Sequence, residues 1–113
     1  MENLRIHSEQ YDGWIVARVV GDLDVYTAPR LREFISDSVA LGHTDVVLDL
    51  EGVGFLDSTG LSVMVAGLRK AKEAGGDLLI IKPNHQIQRI LSITDLVKIL
   101  PIHADIEEAL ANH

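Results

Sequence analysis

The sequence contains no cysteine, which excludes disulfides, thiolate metal sites and cysteine nucleophiles. Basic residues are scarce: 10 Lys and Arg stand against 17 Asp and Glu, a formal net charge of −7. A phosphate backbone needs a basic face, so no nucleic-acid partner is expected. The balance suits a protein partner met through a charged surface. Long apolar runs are also missing. None nears the roughly 18 residues of a membrane span, and Met1-Glu2-Asn3-Leu4-Arg5 lacks the shape of a signal peptide. The expectation is a cytoplasmic chain with no membrane contact. What is present is a 47% hydrophobic, 24% charged chain of 113 residues. That excludes a disordered chain and allows one domain, residues 1–113, but not two.

No linker, repeat or low-complexity stretch interrupts the chain. Leu4 to Tyr11 and Trp14 to Val20 flank the turn signal Asp12-Gly13 and read as a β-hairpin whose second strand is largely buried. Gly21-Asp22-Leu23-Asp24 breaks that pattern. Thr27 suits an N-cap, with Pro29 in the first turn of a helix bearing Leu31, Phe34, Ile35 and Val39 and stopping at Gly42. Val46 to Leu50 reads as a central strand covered on both faces, followed by a loop from Glu51 to Leu56. A second helix spans about Ser58 to Ala74, stopped by Gly75-Gly76. Leu78 to Ile81 is another buried strand. Asn84 caps a third helix carrying Ile87, Ile90 and Leu91, Val97 to Leu100 suits a short last strand, and Asp105 opens a terminal helix through Glu107 and Glu108. Alternation after the hairpin predicts an α/β fold with a mostly parallel sheet, an antiparallel edge and about four helices.

Three residues able to cap, Asp57, Ser58 and Thr59, stand together where the central strand's loop enters the second helix. One cap satisfies one orphan N–H, so the stack exceeds what capping requires. In that helix Leu61, Met64, Val65, Leu68 and Ala71 share a core stripe, while Ser58, Ser62, Ala66 and Arg69 follow the solvent edge. Val63 is expected to project outward beside them, giving an apolar contact near an exposed hydroxyl. An outward Ser at a helix N-terminus is a suitable phosphate site, since backbone N–H groups and the dipole can hold the anion. Asp57 adjoins it, and Asp22 and Asp24 join an acidic rim if their loop lies at the same sheet edge.

Asp57-Ser58-Thr59-Gly60-Leu61, preceded by Val47-Leu48-Asp49-Leu50 and Val53-Gly54-Phe55, resembles the signature of bacterial anti-sigma factor antagonists of the STAS domain family. The likeness covers essentially the whole chain, including Gly21 to Asp24, Thr27-Ala28-Pro29, Gly75-Gly76 and Ile90 to Leu96. The resemblance implies an STAS-like single domain and partner switching. In that scheme the unphosphorylated antagonist binds an anti-sigma factor that is itself a serine kinase, freeing a sigma factor. The kinase phosphorylates the motif serine, here Ser58, the complex parts, and a PP2C-type phosphatase resets it. Thr59 is the lesser acceptor. The family likeness and helical geometry together assign the partner-binding face to Asp22, Asp24, Asp57, Ser58, Thr59, Ser62, Val63, Ala66 and Arg69. Asp95 departs from the family, which commonly has Gly in that turn; Asp tolerates the left-handed conformation.

Other readings fit less well. A receiver domain phosphorylated on Asp49, with Lys82 as partner, needs an adjacent acidic pair for Mg²⁺, and Asp22 and Asp24 are not adjacent. A serine hydrolase would pair Ser58 with His7, His43, His85 or His103, but no Gly-x-Ser-x-Gly elbow exists. Gly52-x-Gly54 lacks the third glycine of a dinucleotide fingerprint. No metal-ligand spacing or cofactor motif is present, and a regulatory protein without catalysis is expected. Within the family, an STAS subunit of a transport or sensor assembly is the alternative.

Overall fold

The computed structural model describes residues 4–95 and 98–113. Five strands and four helices alternate after an opening hairpin: β1 (Arg5–Tyr11), β2 (Trp14–Leu23), α1 (Ala28–Ala40), β3 (Asp45–Leu56), α2 (Ser58–Glu73), β4 (Asp77–Ile81), α3 (His85–Ile93), β5 (Ile102–His103) and α4 (Ile106–Ala111). The sheet runs in chain order, β1-β2-β3-β4-β5. Among the described residues only the β1–β2 pair is antiparallel. This is the mixed α/β sheet that the alternation predicts. Positive φ at both Asp12 (51°) and Gly13 (84°) makes a two-residue type I′ turn, whose twist matches the flanking strands.

Two cores form because the central strands are buried on both faces. On one face Ala17, Val19, Leu48, Leu50, Leu78 and Ile80 meet Leu31 and Ile35 of α1, Leu61, Met64, Leu68 and Ala71 of α2, and Ile87 and Leu91 of α3. Val65, expected in that stripe, is only partly buried. On the other face Trp14, Val47, Leu79 and Ile81 pack under Ala109 of α4. Apolar residues on both faces of β3 and β4 are the mark of parallel strands covered by helices.

Three local expectations are corrected. The expected loop from Glu51 to Leu56 is strand, and β2 likewise continues through Gly21 to Leu23, pairing Gly21 with Val53 and Leu23 with Leu56. Register shifts between Arg18 and Val20 and between Gly21 and Asp22 break the two-residue alternation by which a strand is read. Thr27 holds the N-cap position but makes no side-chain cap: its φ and ψ (−102°, −25°) are already helical. Its hydroxyl instead donates to the Asp22 carbonyl (2.6 Å) and accepts from Asp24 N–H (3.0 Å). Asp24 Oδ1 accepts the N–H groups of Tyr26 and Thr27. The last strand is Ile102–His103, starting five residues later than expected, because the buried Leu100 and then Pro101 precede it; the Pro101 carbonyl accepts Ile80 N–H (2.8 Å). Of the expected strand from Val97 to Leu100, Val97 lies outside the described residues. The turn at Asp95 adopts the left-handed φ of 60° expected of it.

Candidate functional site

The parallel register Leu23↔Leu56 brings the ends of β2 and β3 to one corner, where Asp57 N–H donates to the Leu23 carbonyl (3.1 Å). The Gly21–Asp24 segment and the Asp57–Thr59 segment are therefore neighbours, as the sequence required for an acidic rim. Asp57 caps α2: its Oδ1 accepts the N–H groups of Thr59 (2.9 Å) and Gly60 (3.0 Å). Gly60 is required for the close approach, since a Cβ there would stand 2.6 Å from Leu56 Cδ1 and 3.0 Å from the Leu23 carbonyl. With capping done by Asp57, the Ser58 side chain is spare. It is exposed on the first residue of α2, and its hydroxyl forms no hydrogen bond among the described residues. Its carbonyl accepts the Ser62 hydroxyl (2.9 Å). Thr59 is half-buried.

The cradle expected for a phosphate is corrected in one respect. The Thr59 and Gly60 N–H groups are already taken by the Asp57 carboxylate, so an anion on Ser58 would lie beside that carboxylate. Removing this cap orphans both donors. Asp57→Ala is expected to cost about 1–2 kcal/mol, read as a lowered urea midpoint at unchanged slope.

Ser62, Ala66 and Arg69 are exposed along α2, and with Leu61 and Val65 they line a shallow groove leading away from Ser58. Val63 does not join them. It is 1% exposed, packed in the main core, so the expectation of an outward contact is corrected. Helix α1 covers that flank of α2 closely enough that a Cβ on Gly67 would lie 2.8 Å from Ile35 Cδ1. Gly60, Val63 and Gly67 thus form a second buried flank. The two glycines at helical spacing around Val63 were the signal for it.

Three exposed apolar side chains at this corner escaped the sequence reading. Val25 and Tyr26 follow Asp24 in the β2–α1 connection, and Phe55, paired with Asp22, is the penultimate residue of β3. They are 56%, 79% and 45% exposed. Large apolar side chains left in water beside an acidic rim suit a protein-binding surface.

The rival chemistries find no support in the geometry. Asp49 lies mid-strand and is 3% exposed; its Oδ1 accepts Glu51 N–H, and Oδ2 faces Arg18 Nε at 4.0 Å. A receiver's phosphoacceptor belongs at an accessible strand end, and β3 continues seven residues beyond Asp49, to Leu56. Among the described residues no histidine hydrogen-bonds Ser58. Among the described residues, no group of three or more His, Asp or Glu is placed to hold a metal, and no helix is long and apolar enough to cross a membrane.

Comparison with known proteins agrees with this architecture. The STAS domain family profile matches residues 5–109. The anti-sigma-B factor antagonist of Staphylococcus aureus is 32% identical over 105 residues, covering 93% of this chain and 97% of that one. The anti-sigma F factor antagonist of Paenibacillus polymyxa is 29% identical over 109 residues, covering 96% and 93%. Among solved structures, an anti-sigma factor antagonist from Mycobacterium paratuberculosis superposes with a TM-score of 0.83 at 29% identity, covering 97% of this chain and 93% of that one. With the hairpin, the mixed sheet and the serine corner in place, the chain belongs to the STAS domain family, alongside relatives that are anti-sigma factor antagonists.

Proposed function

We propose that this chain is an anti-anti-sigma factor switched by phosphorylation of Ser58. Unphosphorylated, it binds an anti-sigma factor with serine-kinase activity and so frees a sigma factor for transcription. The kinase then transfers a phosphoryl group: Ser58 Oγ attacks the γ-phosphorus of ATP, its proton passes to a base of the kinase, and ADP leaves. A PP2C-type phosphatase hydrolyses the ester and restores the binding form. The chain acts as substrate and ligand, not as catalyst.

One observation carries this reading: the Ser58 hydroxyl is exposed, unbonded and released from capping by Asp57. A kinase cleft needs such a group, and the fold does not depend on it. Asp22, Asp57, Thr59, Ser62, Ala66 and Arg69 would surround the bound partner. Asp24, which holds the α1 turn, would contribute through its remaining oxygen. Val63 is left out, and Val25, Tyr26 and Phe55 are added. Incubation with ATP and candidate anti-sigma kinases, followed by mass spectrometry, tests the assignment. One acid-stable phosphoester on Ser58, absent in Ser58→Ala, is expected; a label elsewhere with Ser58 unmodified would refute it. Tyr26→Ala should leave the fold intact and weaken partner binding about tenfold or more, as exposed aromatic anchors do. Titration calorimetry of the variant against the wild type reads that loss.

A further inference from the structure

Among the described residues strand β1 pairs only with β2 and forms an open edge of the sheet, exposed at every residue but the half-buried Ile6. Natural edges are normally blunted by charged side chains, proline, a bulge or short length. Arg5–Tyr11 has no proline and no bulge: it holds seven residues in unbroken register with β2, and its only charged side chains besides His7 are Arg5 and Glu9, of opposite sign. The type I′ turn closes on the pair Tyr11↔Trp14, whose backbone groups bond each other. Alternation then directs the N–H and C=O groups of Ile6, Ser8 and Gln10 away from β2, toward the open side.

The side chains on this edge are ordered in a self-complementary way. Arg5, His7 and Glu9 alternate onto one face of the sheet. Arg5 and Glu9 make no ion pair among the described residues. Four residues apart on a strand they stand about 13 Å from each other and cannot meet within one chain. Across a two-fold axis through His7, however, an antiparallel copy of β1 sets each Arg5 directly opposite the other copy's Glu9. The same register places Ile6 opposite Ser8, where both backbone hydrogen bonds can form.

We propose that β1 is a homodimerisation edge, joining two copies into one continuous ten-stranded sheet through antiparallel β1–β1 pairing. The contact is isologous, so one strand supplies both halves of the complementarity. Its occupant is a second copy of this chain, because the pattern Arg5–His7–Glu9 is complementary in charge to its own reverse. An edge contact of this kind is small and gives a weak, concentration-dependent dimer.

Sedimentation velocity on the full chain from about 10 µM to 1 mM tests this, with the charge swap as control. The wild type is expected to shift toward twice its 12.4 kDa mass. Arg5→Glu and Glu9→Arg, both at exposed sites, should each move the dimerisation midpoint at least about tenfold higher by opposing like charges. The double variant Arg5→Glu/Glu9→Arg should recover it to within about threefold. A monomer throughout the range overturns the proposal. So does a dimer indifferent to the single changes, or one that the double variant fails to restore.

Discussion

Ser58→Asp should fold with wild-type stability and bind its anti-sigma factor about 30- to 1000-fold more weakly. The side chain is exposed and unbonded in the free protein, so a carboxylate there is solvated and costs the fold little. Binding removes that water. The added charge is then held beside the Asp57 carboxylate, whose Oδ1 is committed to the Thr59 and Gly60 N–H groups. Two like charges about 6 Å apart at an effective dielectric near 20 repel by roughly 3 kcal/mol. Partial screening and desolvation bracket the loss at about 2–4 kcal/mol, the stated range in affinity. Titration calorimetry on Ser58→Asp and Ser58→Ala separates charge from lost hydroxyl. Ser58→Ala should bind normally and resist phosphorylation; equal binding by Ser58→Asp would remove the electrostatic basis of the switch.

Val63→Asp is expected to damage the fold itself, although Val63 is only one residue from the exposed Ser62. The Val63 side chain is 1% exposed between α2 and α1. An aspartate in that apolar seam either stays charged without a partner or takes up a proton, and both cost free energy. A loss of about 3 kcal/mol or more follows, lowering Tm by roughly 10 °C or more in a domain of this size. Ser62→Asp, on the exposed edge, should stay within about 0.5 kcal/mol of wild type. Thermal unfolding of the pair distinguishes a core residue from a surface one. A stable Val63→Asp variant would mean that α1 does not seal this flank.

These two neighbours show what was legible in the chain and what was not. The succession of strands and helices, the α2 start at Asp57-Ser58 and the Asn84 and Asp105 caps could be read because each depends on a few adjacent residues. Ser58 exposure followed from the helical stripe alone. The burial of Val63 did not, because it depends on which element covers α2, a tertiary fact signalled only by Gly60 and Gly67. The second half of β3 was hidden for a different reason. Its buried residues Val53 and Leu56 are three apart, and the register shifts opposite them erase the period of two. Val25, Tyr26 and Phe55 were passed over because an apolar residue in a sequence is read as core. Only the folded chain leaves them in water.

The most direct measurement is titration of the cognate anti-sigma factor with the chain phosphorylated stoichiometrically on Ser58, beside the unmodified chain. Tight binding by the unmodified form, a loss of at least about 30-fold on phosphorylation and full recovery after phosphatase treatment are expected. Binding that is unchanged by the phosphoryl group, with both forms equally folded, would contradict a switch at Ser58.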